Sequence, residues 1–485
     1  MIDRIAELLQ HGIDAALLNQ GAALLVGSIV TYCVLGNTTR LRSLQNLRVL
    51  LLLLPAVFLI DIVKWEYRSD TPWAATGLLF AFRGLQGALL LVTAVSLAAS
   101  LRQREDTPSN LPTSALRVLA FLLVITNVII TVGRDPDDCG IYSNLGAQRW
   151  HETGQLPYGD ESLKGPKSPG HGAAATYGPL LYLAHIPTQI IIGPSNNPPS
   201  LPVAAKDTYV LPAPMATKIT ALLFHFVGLF ALYSIGRRCR GTATRWALVV
   251  AYAGCPYVLG LGGEANWLSS ADAFACGLSY ISHIAPASLV LLALAFARRP
   301  AISGGILAAA TGVLYFPAFL LPAFFGWQWQ RGAATRFIIG FALVGLLTTG
   351  LVLHGTAGET LTDRASAFVH STFDHQEGAA KGEYGQSKYS FWGQHEQLSA
   401  YWKSPILDSH RILSPSFLAL VGLTLLTLFL ARSRCLSLGQ LAFLLAAVAA
   451  AVQLWKTHAA GTYVEWYYPL LLIGFLCPNI MDDDA

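Results

Sequence analysis

Apolar runs near the length of about 20 residues that spans a bilayer recur along most of the chain, separated by polar connections. The clear ones lie at 15–36, 47–63, 75–99, 115–133, 213–236, 246–262, 334–354, 413–431 and 436–455. Shorter runs lie at 284–298 and 463–479, and a broken pair crosses 301–329. The pattern predicts an all-α polytopic membrane protein with about 11–13 transmembrane helices, the count depending on how the broken pair is read.

Basic residues orient these spans. Short connections at 37–48, 101–117, 237–245, 298–300, 328–336 and 432–434 hold sixteen of the 32 Lys and Arg residues, among them Arg40, Arg102, Arg237, Arg298, Arg331 and Arg432. An excess of cations marks cytoplasmic connections. Of the 28 acids, 23 then fall on the opposite side, including every acid in two long loops that face away from the cytoplasm. The same bookkeeping puts the N-terminus outside. Segment 176–193 is apolar, but counting it as a span would place Arg237, Arg238 and Arg240 outside; it is short, and His185 and Pro187 interrupt it. It reads as a helix along the outer membrane surface. Tyr142–His151, with Leu145 and Trp150 set against Asn144, Gln148 and Arg149, reads as a second interfacial helix.

Composition agrees with this class. The chain has 485 residues, 53% hydrophobic and 12% charged, against about 25% charged in a soluble domain, and its mean hydropathy is +0.48. So few charges exclude both a set of soluble domains and disorder. A net charge of +4 without a basic run excludes a nucleic-acid partner. Seven scattered cysteines form no CxxC or Cys/His cluster, which argues against a zinc site or a disulfide scaffold. Two acids stand among the first residues before any apolar core, so no removable signal peptide is expected.

The chemistry gathers where the fourth span leaves the membrane. Asp135, Asp137 and Asp138 stand within four positions at the outer face, in a loop rich in glycine and aromatic residues. A solvated acidic turn accounts for three such carboxylates on their own. A carboxylate at a membrane boundary can also have a raised pKa and act as general base toward a hydroxyl. The loop carries Asp138…Tyr142, then Gly154-Gln-Leu-Pro157-Tyr158-Gly-Asp160, then Tyr177-Gly-Pro179-Leu180. This order of D-x-x-x-Y, G-x-x-P-Y-x-D and Y-x-P-L resembles the first external loop of GT-C glycosyltransferases, most closely the bacterial polyprenyl-phosphate-mannose-dependent mannosyltransferases. The resemblance covers 115–479 as a GT-C-like module with external loops 134–212 and 355–412. It leaves three additional N-terminal transmembrane helices in 1–114 and a short tail at 480–485.

That resemblance implies an inverting transfer of mannose or a related hexose from a polyprenyl-phosphate donor to a hydroxyl at the extracytoplasmic face of the plasma membrane. Asp138 takes the place of the general base, Asp137 is the second choice, and Asp135 shapes the turn before Pro136. Tyr142, Tyr158, Asp160 and Tyr177 carry over as substrate-binding residues. The acceptor is a glycolipid, a polysaccharide or a protein; no cofactor is required, and a divalent cation is compatible. One departure stands out. Relatives often keep a lysine before the proline of the broken helix pair, or in the Y-x-P-L motif, and these places hold Tyr315-Phe316 and Gly178. Phosphate binding must then fall to other groups.

The second external loop offers Arg364, His375, Lys381, Lys388, His395, Lys403, His410 and Arg411. Lys388 beside Tyr389 and Trp392 is the leading choice, a cation next to rings that can stack on a sugar. A loop of this length without periodicity is more often a lid than a passive link. Glu264 and Asn266 stand at an outer turn as ligands for sugar hydroxyls, or as helix caps. His458 and Glu465 stand where the last external turn re-enters the membrane; an aromatic belt explains Trp466, Tyr467 and Tyr468 but not Glu465. Arg83 and Asp61 form a candidate structural pair within the spans. Cys139 and Cys276 share the outer side. Two other classes stay open: a multi-span lipid-linked-sugar transporter or flippase, against which the absence of a convincing internal repeat argues, and a non-catalytic lipid-sugar binding protein.

Overall fold

The computed structural model describes residues 15–37, 43–66, 72–101, 111–133, 136, 138–159, 177–192, 214–238, 242–259, 278, 280–374, 415–455 and 463–478. Among them the chain is all helical, with no strand. In order the helices are α1 (Ala15–Leu35), α2 (Leu44–Glu66), α3 (Pro72–Ser100), α4 (Thr113–Gly133), α5 (Asp138–Thr153), α6 (Pro179–Ile192), α7 (Pro214–Arg238) and α8 (Thr242–Ala253). There follow α9 (Ile281–Ala295), α10 (Pro300–Val313), α11 (Leu321–Gln330), α12 (Ala334–Gly355), α13 (Leu361–Val369), α14 (Pro415–Ser433), α15 (Leu438–Trp455) and α16 (Tyr468–Leu476).

Three of these are long and apolar enough to cross a membrane, at Thr113–Val132, Met215–Arg238 and Ala334–Gly355; shorter apolar helices surround them. The expected runs and the helices coincide closely, with one clear difference. The run at 246–262 ends as a helix at Ala253, because Gly254-Cys255-Pro256 follows and the residue before a proline disfavours helical backbone. The broken pair resolves into α10, a 3-10 turn at Phe316–Leu320 around Pro317, and α11.

Helices α7, α9, α10 and α12 pack side by side, and α11 lies against α14. The α10–α12 crossing depends on small residues. A Cβ added to Gly304 would stand 2.0 Å from the Phe337 carbonyl oxygen, and one on Gly340 would stand 1.9 Å from that of Ala301. Neither helix could approach so closely with a larger residue there. The N-terminal helices are tied to the rest by buried polar bonds: Tyr257 Oη donates to the Leu52 carbonyl at 2.7 Å, and Gln440 Nε2 to that of Ser100 at 3.2 Å. The outward side of α12 is apolar and exposed at Ile339, Leu343, Leu346 and Leu347.

Candidate functional site

Helix α5 opens at Asp138 and docks through an unexpected face. The amphipathic reading set Leu145 and Trp150 against Asn144; Gly140, Ser143, Asn144 and Ala147 are buried, as is Gly146. The i, i+3, i+4, i+7 spacing of the first four makes a small, polar stripe. Gln189 of α6 donates to the Asn144 backbone oxygen at 2.8 Å and to its Oδ1 at 2.5 Å, while Thr217 Oγ1 of α7 donates to the Gly140 carbonyl at 3.2 Å. A hydrophobic pattern does not register this stripe, where a small residue admits the Tyr182 ring against Gly146; Tyr142 and Trp150 pack, half-buried, against the same cluster.

Helix α6 runs through both His185 and Pro187. His185 is buried with Nδ1 2.9 Å from the Leu181 carbonyl, whereas Ile190 and Ile191 on the other side are exposed. Its 14 residues reach about 21 Å, short of the roughly 30 Å of bilayer hydrocarbon.

The two loop motifs converge on one carbonyl. Tyr158 Oη donates to the Tyr177 backbone oxygen at 2.7 Å, and Tyr315 Oη donates to the same oxygen at 3.2 Å. The Tyr177 amide donates in turn to Tyr182 Oη at 3.2 Å. Phe368 of α13 meets the Tyr158 ring edge-on at 4.9 Å between centroids. Tyr142 packs against the same cluster from α5. Burial first, then the neighbouring Tyr315 and Tyr182, push the Tyr158 phenol well above its ordinary value, so it remains a proton donor.

Gly178 explains the lysine missing from Y-x-P-L. Its amide donates to the Val313 carbonyl at 3.1 Å, and a Cβ there would stand 2.1 Å from the Gly312 carbonyl oxygen. The end of α10 leaves no room for any side chain. Beside this contact lies a cavity of about 320 Å³ between α10 and α12, with Pro179, Thr311, Tyr315, Thr348 and Phe368 in its wall. Thr311 and Thr348 return their hydroxyls to the Leu307 and Val344 carbonyls of their own helices, so their polarity is satisfied locally and the wall is mainly apolar.

Part of the second long loop, 355–412, is ordered helix. Thr360 and Asp363 form a capping box at the start of α13, with both reciprocal bonds in place at 3.0 and 3.1 Å. The T-x-x-D signature was present in the sequence and went unread. Of the loop cations, Arg364 is bound to the Gly358 and Leu353 carbonyls at 2.9 and 3.1 Å, near the cavity. His375, Lys381, Lys388, His395, Lys403, His410 and Arg411 lie outside the described residues, as do Tyr389 and Trp392. So do Asp135, Asp137, Asp160, Glu264, Asn266, Cys276 and His458. For Asp138 only the backbone is described, as the first residue of α5; the side chains of Asp61 and Arg83 likewise lie outside the described set.

A second polar centre lies deeper. His283, in the first turn of α9, and Glu465, in a 3-10 turn before α16, are both buried, with Nδ1 and Oε2 3.3 Å apart. Tyr463 meets the imidazole edge-on at 4.1 Å and stacks on Trp466, which stacks on Phe316 at 3.9 Å. Glu465 resisted the aromatic-belt explanation, and this pairing accounts for it. His283 went unnoticed, because one histidine in an apolar run carries no local signal. Tyr182 and Phe368 were missed for the same reason. In comparison with known proteins, no family model, no curated protein and no solved structure matches the chain.

Proposed function

We propose that the chain is a polytopic integral membrane glycosyltransferase of the plasma membrane, built as a GT-C-like bundle with its site on the extracytoplasmic face. It moves mannose or a related hexose from a polyprenyl-phosphate donor to an acceptor hydroxyl. The observation that carries this reading is the convergence of Tyr158, Tyr177 and Tyr315 at the edge of the α10–α12 cavity. Two motifs of the first external loop, the broken helix pair and the first helix of the second loop meet there, as one substrate-binding site would require. The cavity adjoins α12, whose apolar outer side suits a lipid chain.

In this reaction the acceptor oxygen attacks the anomeric carbon while the Asp138 carboxylate takes its proton. The bond from that carbon to the phosphate oxygen breaks, its electron pair leaves with the polyprenyl phosphate, and the sugar is transferred with inversion. The phosphate is already a good leaving group, so a base and support for the growing phosphate charge suffice. Purified protein given polyprenyl-phosphate mannose and a membrane glycolipid fraction tests the reading. Transfer by the native chain that falls at least a hundredfold in Asp138→Asn, roughly the span of general-base contributions, supports it; undiminished transfer by the variant removes the catalytic assignment. No transfer from any polyprenyl-phosphate hexose defeats the reading itself.

A lipid-linked-sugar transporter is the second reading. The buried His283–Glu465 pair favours it, since ionisable groups within spans often mark transport pathways. Movement of labelled lipid-linked sugar across proteoliposomes without glycosidic turnover separates the two.

A further inference from the structure

Lys218 is the one Lys, Arg, Asp or Glu between Met215 and Gly236 of α7, a helix apolar enough to cross a membrane. It stands at the end opposite the basic last turn, Arg237 and Arg238. Its ammonium donates to the Val132 carbonyl at 2.9 Å, at the end of the apolar stretch Thr113–Val132. The preceding residue, Thr217, is buried and donates to the Gly140 carbonyl at 3.2 Å. Consecutive residues of α7 therefore hold both sides of the connection from α4 to α5, and α5 begins at Asp138.

An interfacial lysine that merely snorkels to water needs no fixed partner. This one is anchored on a helix-terminal carbonyl, where the helix dipole favours a cation, and two of the ammonium's three protons remain for another acceptor. The anchor fixes a positive charge on the Val132 carbonyl, six residues before Asp138 in the chain.

We propose that Lys218 binds the phosphate of a lipid-linked phosphate ester at the outer end of α4 and α7. Its part in turnover rests on the transferase reading; the binding itself does not. Negative charge grows on the phosphate as its bond to the sugar breaks, so a pre-positioned cation acts more strongly in the transition state than on the bound donor. Among the described residues Arg364 is a competing cation, bound to the Gly358 and Leu353 carbonyls at the start of the second loop.

The test is binding to the full chain in phosphatidylcholine nanodiscs, with farnesyl phosphate, farnesol and inorganic phosphate as probes. Farnesyl phosphate should bind about tenfold or more tighter than farnesol, the size of one hydrogen bond to a charged group. Lys218→Met should remove that difference, and Lys218→Arg should keep part of it, with thermal unfolding confirming that both variants fold. Inorganic phosphate that competes as well as farnesyl phosphate would assign a free-anion site and overturn the lipid part of the proposal. Equal binding of farnesyl phosphate to native protein and Lys218→Met overturns it entirely, as does no binding to either. Lys218-dependent binding without any sugar transfer leaves this inference standing and removes the transferase reading. Transfer with unchanged kcat and KM in Lys218→Met does the reverse.

Discussion

His283 Nδ1 and Glu465 Oε2 lie 3.3 Å apart with their side chains 3% and 1% exposed. The two residues are 182 positions apart in sequence, and each comes from a segment that enters the bundle at the start of a helix. The contact satisfies polar atoms of two buried side chains, and removing one takes that partner from the other. Breaking such a buried pair costs about 3–5 kcal/mol, whereas replacing both members with apolar residues is far milder. Glu465→Leu should therefore lower stability more than the double variant His283→Leu/Glu465→Leu, measured by denaturant unfolding in detergent. Equal and additive losses would show that the two side chains do not interact.

The Tyr177 carbonyl accepts from both Tyr158 and Tyr315, so neither phenol is its sole partner. Tyr158→Phe should be mild, about 0.5–1.5 kcal/mol. Tyr158→Phe/Tyr315→Phe should exceed the sum of the single losses, because a buried carbonyl then loses both donors. A double-mutant cycle on thermal unfolding reads this coupling directly; strict additivity would place the two bonds in independent environments.

Much of the helical framework was legible in the apolar runs, because helices formed at nearly every one of them. Tyr158 and Tyr177 were legible through short motifs that share one loop. His283, Tyr182, Phe368 and Lys218 were not, because their meaning arises from partners distant in sequence. The burial of Asn144 was not legible either: a local hydrophobic pattern cannot register that small polar residues let two helices come close. The helix α13 was missed although its start signal was written in Thr360 and Asp363.

Gly178 makes a further case that can be tested. Any side chain there would collide with the Gly312 carbonyl, which the chain can relieve only by moving α6 or α10. Gly178→Lys should therefore add no phosphate affinity, although it inserts a cation beside the cavity. It should instead destabilise by about 1–3 kcal/mol or more, as overpacking does. Thermal unfolding alongside farnesyl phosphate binding decides the matter: tighter binding with unchanged stability would mean that the α6–α10 contact yields readily.

Asp363 offers a pH-dependent handle on the start of α13, the helix whose Phe368 lines the cavity. The Thr360 hydroxyl and then its amide lower the Asp363 carboxyl from its ordinary value, so the ionised form is the one that caps α13. A depressed folded-state value means that the contribution is complete above the unfolded value and disappears as pH falls through the lower folded one. Between neutrality and pH 5 the start of α13 should thus be insensitive to acid, and it should loosen only below about pH 4. Asp363→Asn should show the loosened state at every pH. Hydrogen exchange at the amides of 361–369 is the measurement, and protection that falls already between pH 7 and pH 5 would show that another group governs the helix that carries Phe368 to the tyrosine cluster.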